Sequence, residues 1–442
     1  MISKEGIFMK RFFSLFLCLV MFVSVLSACS GTNQKELDEL YNELMKKSPE
    51  EIKLDSNIAV KAVRNLVWEE YKEKERKDPE RVEEITQKAI TYGEATMHFD
   101  LKIVGKAGAD GYPLIIALHG GGGGSKEVND QQWDHMKIYY LDSVTNGLYV
   151  ATRGVRDTWD THFNPESYPL YERLIDDLSI YYGIDTNRVY IVGYSAGGDG
   201  VYQITPRLAD RFAAANMSAG HPNGVNLTNL YNVPFQIQCG QNDSSYNRNT
   251  MNAYYCEVLD KLRETYNGGY IHNVNIHLMR EHGIIDNDPN MSEQGVMSNP
   301  IQWYYGEMPV PTSVNSNSIY FVEQFKRDPV PERVVWDLSV RADEVSTESF
   351  YWLRASTDLR SGVIVANYDK ATNTITIEQN TVEGEIKIML NDEMVDLFKP
   401  VKVVINGETK EYNVTPSIEY IKKTVAERCD PNMIFAAEIT VG

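Results

Sequence analysis

Three side chains stand where a hydroxyl, an imidazole and a carboxylate could act together. Ser195 lies in Gly193-Tyr194-Ser195-Ala196-Gly197, after the apolar run Val189-Tyr190-Ile191-Val192 and before a helical stretch. That context predicts a sharp strand-to-helix turn, with Ser195 Oγ lifted above the sheet edge and a helix N-terminus favouring negative charge there. A hydroxyl is a poor nucleophile until a base takes its proton, and an acid must orient the base. Further along, the strand Phe235–Cys239 runs into Gly240-Gln241-Asn242-Asp243, and a strand near 270–279 runs into Glu281-His282-Gly283. Both loops fall at the carboxyl edge of a parallel sheet, where open α/β sheets place their sites. Asp243 is therefore the candidate acid and His282 the candidate base. Their competitors are His272 and His277 within the last strand, Asp260 in a helix, and Asp286 and Asp288 after the His.

A second feature strengthens the first. Leu118-His119-Gly120-Gly121-Gly122-Gly123-Gly124 follows the strand Leu114–Leu118. Glycines there let backbone N–H groups approach a substrate and face an oxyanion. The N–H groups of Gly121 and Ala196 are the expected donors, and His119 reads as a structural residue of the loop. A phosphate cradle would need G-x-x-x-x-G-K-[ST], which is absent. The loop 153–168 also follows a strand, and Trp159 and His162 are its candidate substrate contacts. A Trp with polar neighbours suits a sugar ring or an aryl group; a surface loop packed by its own aromatics is the competing reading. No metal and no organic cofactor is implied. Cys239, Cys256 and Cys429 are scattered, form no C-x-x-C pattern and make no disulfide framework.

These residues need a frame. Strands are expected at Met97–Val104, Leu114–Leu118, Leu148–Thr152, Val189–Gly193, Phe212–Asn216, Phe235–Cys239 and Tyr270–Met279. Helices are expected near 130–145, 169–182, 197–209 and 248–266. Strands alternating with helices predict a mostly parallel sheet covered on both faces. Residues 29–95 read as a tether and a helical segment, with a helix over 58–93 that Lys-Asp-Pro at 77–79 breaks. The catalytic domain spans 96–325. Short β-type runs then predict a C-terminal β-sandwich over 326–442, with a hairpin turn at Asn406-Gly407 and a helix at 416–428. Asp328-Pro329-Val330-Pro331 marks the boundary.

Composition bounds the rest. The chain has 442 residues, 43% of them hydrophobic, and a formal charge of -19. That excludes a disordered polymer or a multi-span membrane protein and makes nucleic acid a poor partner. The N-terminus departs from the average: Lys10-Arg11, an apolar run from Phe12 to Leu26, then Leu26-Ser27-Ala28-Cys29. This reads as a secretory signal over 1–28. Leu-Ser-Ala-Cys resembles a bacterial lipobox, which implies that Cys29 is lipidated and that the protein is anchored to the outer face of the cytoplasmic membrane.

The stretches Pro113-Leu114-Ile115-Ile116-Ala117-Leu118-His119-Gly120, Arg188 to Gly198, and Asp210-Arg211-Phe212-Ala213-Ala214 resemble the polyhydroxybutyrate depolymerase-like and feruloyl-esterase-like branch of the α/β-hydrolases. The resemblance covers about 97–310. It implies an eight-stranded core sheet, a Ser-His-Asp triad and ester substrates. Asp199 departs from the small or apolar residue usual there. The reading is a serine carboxylic-ester hydrolase working through an acyl-enzyme on esters of extracellular carbohydrate or similar small esters. The alternatives are a prolyl-oligopeptidase-type peptidase and a surface glycan-binding protein on the same scaffold.

Overall fold

The computed structural model describes residues 34–290, 293–297, 299–342 and 348–441. Cys29 and the segment read as an export signal lie outside the described residues. Among those described, no helix is long and apolar enough to cross a membrane.

One sheet organises the larger part of the chain. Its strands are β1 (Ala89–Tyr92), β2 (Ala95–Val104), β3 (Tyr112–Leu118), β4 (Gly147–Thr152), β5 (Ile184–Tyr194), β6 (Ala214–Ser218), β7 (Phe235–Gly240), β8 (His272–His277), β9 (Glu293–Met297) and β10 (Pro311–Asn315). They run in the order β1-β2-β4-β3-β5-β6-β7-β8-β9-β10. From β4 across to β8 every pairing is parallel. The two edges are antiparallel.

The apolar runs in the middle strands are continuous because both faces are covered. Alternate residues of one strand belong to different cores. Leu114, Ile116, Leu118, Val150 and Ile191 lie in one buried cluster. Ile115, Ala117, Tyr149, Ala151, Tyr190 and Val192 lie in the other. This is the period-2 alternation of a strand expressed inside a sheet buried on both sides. Helix α1 covers 34–44. The others are α2 (Asn57–Glu75), α3 (Pro79–Gln87), α4 (Lys126–Tyr139), α5 (Ser167–Tyr182), α6 (Ala196–Arg207), α7 (Arg248–Thr265), α8 (Pro300–Tyr304), α9 (Ser318–Val322) and α10 (Ile418–Arg428).

Several expected boundaries move for local reasons. Helix α4 starts at Lys126, not near 130, because Ser125 caps it by accepting from the Val128 N–H. The helix over 58–93 breaks at Lys77-Asp78, as expected, but ends early at Gln87; Ala89–Tyr92 then turns at Gly93 to pair with β2. The strand expected at Phe212–Asn216 runs from Ala214 to Ser218 instead, since Ala209–Arg211 forms a helical turn first. The tether packs on the core from Tyr41 onward: Tyr41 is half-buried, and Leu44 and Ile52 are buried.

The C-terminal region holds two sheets. β11 (Arg333–Asp337), β14 (Val363–Asp369), β15 (Thr374–Asn380), β17 (Val401–Ile405) and β18 (Glu408–Tyr412) form one. β12 (Ser349–Phe350), β13 (Leu353–Ala355), β16 (Ile386–Leu390) and β19 (Ala437–Val441) form the other. The single strand expected at Phe350–Arg354 is split because Tyr351 turns the chain with φ 51°. Asn406 and Gly407, both with positive φ, turn β17 into β18. Trp336 stacks on Phe350 across the two sheets at 5.5 Å.

One buried apolar cluster joins this region to the rest, reaching from Val60 through Ile191 and Val201 to Trp352 and Ile439. Buried ion pairs cross the same seam: Arg327 with Asp430 and Arg428 with Asp210, each at 2.6 Å, and Arg64 of α2 with Asp392, also at 2.6 Å.

Candidate active site

Ser195 occupies the turn between β5 and α6, with φ 58° and ψ -121°. A non-glycine residue there is strained. The turn is held by the Ser195 N–H donating to the Ser218 carbonyl at 2.9 Å. Its two glycines are demanded by space. A Cβ on Gly193 would stand 2.3 Å from the Gly197 oxygen, and one on Gly197 would stand 2.1 Å from the Leu118 oxygen. The strained turn and the tight glycine contacts are one feature, a strand forced directly into a helix.

His282 Nε2 lies 2.9 Å from Ser195 Oγ, and His282 Nδ1 lies 2.7 Å from Asp243 Oδ2. With Nδ1–H donating to the carboxylate, Nε2 is left to accept from the hydroxyl. Asp243 is buried at the end of β7, while the imidazole is 42% exposed. Burial by itself would raise the Asp243 carboxyl, but its bonds to His282 and Arg248 outweigh burial and hold it below its ordinary value. Asp243 is thus an anion facing the imidazole.

Two neighbours were not visible in the sequence. Arg248 Nε donates to Asp243 Oδ2 at 3.2 Å, and its Nη2 lies 3.4 Å from His282 Nδ1. Tyr194 Oη donates to the His282 carbonyl at 2.7 Å and accepts from the Ile284 N–H at 2.9 Å. The residue before the serine therefore fixes the loop that carries the imidazole. Arg248 opens α7 beyond the turn at Ser245–Asn247, and neither it nor Tyr194 carried a signal in the sequence.

The glycine loop lies against this turn. A Cβ on Gly120 would stand 3.3 Å from Ser195 Cβ, and one on Gly122 would stand 3.3 Å from Ala196 Cβ. Gly121 has φ 105°. Neither the Gly121 nor the Ala196 N–H has an acceptor among the described residues. Asn129, near the start of α4, clamps the loop: its Oδ1 accepts from the Gly122 N–H and its Nδ2 donates to the Gly122 carbonyl, both at 2.8 Å. The same Nδ2 donates to Asp157 at 2.9 Å, and Arg153 pairs with that carboxylate.

His119 Nε2 accepts from the Gly154 N–H at 2.9 Å, so Nδ1 carries the proton and donates to the Gly120 carbonyl. Burial pushes its pKa down to about 4, leaving a neutral brace. His162 requires a correction. Expected as a substrate contact, it is fully buried beneath the loop, and its Nε2 donates to the His119 carbonyl at 2.9 Å. It props the loop from below and cannot meet a substrate. Trp159 is 61% exposed, packed edge-on against Phe163 at 5.3 Å, with its backbone beside Gly122 and Gly123.

The competing residues are engaged elsewhere. His277 is buried on Gln238, and burial lowers its pKa to about 4. Asp286 accepts from Tyr139, Tyr140 and Ser318. His272 faces Asp260. Asp199, the departure noted in the sequence, accepts from the His221 N–H at 2.7 Å and from Asn223 at 3.0 Å, so its carboxylate holds the 221–223 turn. A cleft of about 670 Å³ lies elsewhere, near Pro234, Ile271 and Arg333.

A serine on a strained strand-to-helix turn, a glycine loop after β3 beside it, and the chain order Ser, Asp, His on a mostly parallel sheet together define the α/β-hydrolase fold. No known protein-family profile matches the chain. It is 26% identical over 157 residues to a bifunctional acetylxylan esterase/xylanase of Neocallimastix patriciarum, covering 34% of this chain and 22% of that protein. The match thus spans about a fifth of that relative's length. Among solved structures it is similar to a thermostable esterase (20% identity, TM-score 0.37, 54% of this chain and 63% of that one). It is also similar to a poly(3-hydroxybutyrate) depolymerase of Bordetella parapertussis (14% identity, TM-score 0.38, 53% and 97%). A ferulic acid esterase of the anaerobic fungus Anaeromyces mucronatus is a third (19% identity, TM-score 0.30, 44% and 84%).

Proposed function

We propose that the protein is a serine carboxylic-ester hydrolase that works through an acyl-enzyme, on acyl esters of extracellular carbohydrate or similar small esters. One observation carries the reading: His282 reaches Ser195 Oγ at 2.9 Å with one ring nitrogen and Asp243 at 2.7 Å with the other. His282 Nε2 takes the hydroxyl proton as Ser195 Oγ attacks the acyl carbon. The Gly121 and Ala196 N–H groups hold the oxyanion. His282 returns that proton to the departing alcohol oxygen, then takes one from the water that attacks the acyl carbon and gives it to Ser195 Oγ as the acid is released. Asp243 keeps the imidazole in the right tautomer and stabilises its charged form.

The carbohydrate part of the proposal draws on the exposed Trp159 at the rim and on the partial likeness to an acetylxylan esterase/xylanase. The purified protein and Ser195→Ala are assayed side by side on p-nitrophenyl acetate and butyrate, acetylated and feruloylated xylan, and prolyl peptides. Turnover of short esters that vanishes in the variant is expected. Preference for the peptides would favour a peptidase, and xylan binding without turnover a glycan-binding protein. Failure of a fluorophosphonate probe to label Ser195 overturns the reading.

We further propose that residues 1–28 direct export, that lipid on Cys29 anchors the protein to the outer face of a bacterial cytoplasmic membrane, and that the C-terminal sheets form a supporting sandwich domain. Release of the Cys29→Ala protein into the medium is the expected result for the anchor; unchanged membrane association refutes it.

A further inference from the structure

We infer that Cys256, Asp260 and His272 form a binding site for a zinc-type divalent metal ion. Cys256 and Asp260 lie one turn apart on α7, and His272 opens β8 alongside. One ligand atom from each lies within 4.8 Å of the others, the one such group among the described residues. A thiolate, a carboxylate and an imidazole are a donor set that zinc accepts.

The histidine is set up for coordination. His272 Nδ1 lies 2.8 Å from the Tyr270 carbonyl, which only accepts, so Nδ1 carries a proton. Nε2 is then the ring nitrogen left to ligate, and it faces Asp260 Oδ1 at 3.4 Å. Ligands about 2.0–2.1 Å from a tetrahedral zinc stand about 3.3–3.4 Å apart, which is the observed separation. A backbone carbonyl on the far nitrogen is also the usual outer partner of a zinc-bound histidine. Asp260 is 61% exposed, so a water can complete the fourth position. On binding, the Cys256 thiol gives its proton to the solvent and the metal takes the thiolate.

A cysteine nucleophile does not fit the same atoms. It would need one imidazole nitrogen on the thiol and the other on the carboxylate, whereas Nδ1 is occupied by a backbone carbonyl. The site is also remote from Ser195. His272 pairs with Phe235 at the amino end of β7, while Asp243 and His282 leave the carboxyl ends of β7 and β8. The metal would therefore clamp α7 to β8 and take no part in ester chemistry, and the inference stands whether or not the hydrolase reading does.

The untagged, chelator-stripped protein is dialysed against zinc and against cobalt, with Cys256→Ser, His272→Ala and Asp260→Asn in parallel. Expected are one equivalent of metal per chain, a thiolate-to-cobalt charge-transfer band that Cys256→Ser removes, and affinity weakened more than about tenfold in each variant. Zinc should raise the melting temperature of the parent chain alone. Asp260→Asn changes an exposed group and keeps the test valid if the other variants misfold. Absence of stoichiometric binding, cobalt binding without the thiolate band, or equal binding by the variants overturns the site and leaves an ordinary His272–Asp260 ion pair.

Discussion

Tyr194 Oη donates to the backbone carbonyl of His282 at 2.7 Å, so the residue beside the candidate nucleophile fixes the loop of the candidate base, 88 residues later in the chain. Tyr194→Phe keeps the ring and removes this tie. We expect kcat for p-nitrophenyl acetate to fall about tenfold with little change in KM, because the loss is one of positioning. An unchanged kcat would show that the loop holds itself.

Asp243 and Arg248 make separable predictions. Asp243→Asn should lower kcat by about 10³–10⁴, since the amide no longer selects the tautomer that leaves Nε2 free. Arg248→Met acts on pH dependence instead. Arg248 helps hold the Asp243 carboxyl below its ordinary value, and activity needs the carboxylate. Without the guanidinium Asp243 titrates higher, so as pH falls activity is lost sooner. The acid limb of the kcat/KM profile should move to higher pH; a limb that stays put or moves down contradicts the assigned role.

Asn129 holds both polar groups of Gly122. Asn129→Ala should let the glycine loop drift from the oxyanion position and lower kcat about 10–100-fold, below the loss from removing a donor outright. Pre-steady-state acylation rates report this directly.

Trp159 and His162 should behave in opposite ways, although the sequence placed both against substrate. Trp159→Ala should raise KM for xylan esters several-fold and leave kcat within about twofold. His162→Leu removes a buried donor to the His119 carbonyl. It should cost about 1–3 kcal/mol of stability and lower kcat without moving KM. Thermal melts and steady-state kinetics on the two variants distinguish rim from floor.

The seam with the C-terminal sheets should show in acid. Burial alone would raise the Asp430 carboxyl, but the Arg327 and Arg211 guanidiniums outweigh it and hold Asp430 at about 2. An unfolded Asp titrates near 3.9. A lowered folded value gives stability that is present above about pH 4 and lost as pH falls toward 2. Asp430→Asn should cost about 2–4 kcal/mol at pH 7, and its deficit against the parent chain should shrink between pH 4 and pH 2. Urea unfolding at several pH values measures both.

Local patterns in the sequence were enough to place Ser195 on a strand-to-helix turn, the glycines after β3 beside it, and Asp243 and His282 in loops at one sheet edge. Each of those placements follows from short-range steric rules: apolar runs of strand length, glycine where a Cβ has no room, polar loops after strands. Tertiary structure decided the rest, because it depends on which elements become neighbours. Only packing shows that Arg248 shares Asp243 with His282 and that His162 lies under the glycine loop with no access to substrate. Only the packing of α7 against β8 sets His272 beside Cys256 and Asp260. The change of texture at Asp328-Pro329-Val330-Pro331 could not reveal that Arg327, just before it, would be buried against Asp430, which lies 103 residues further along the chain.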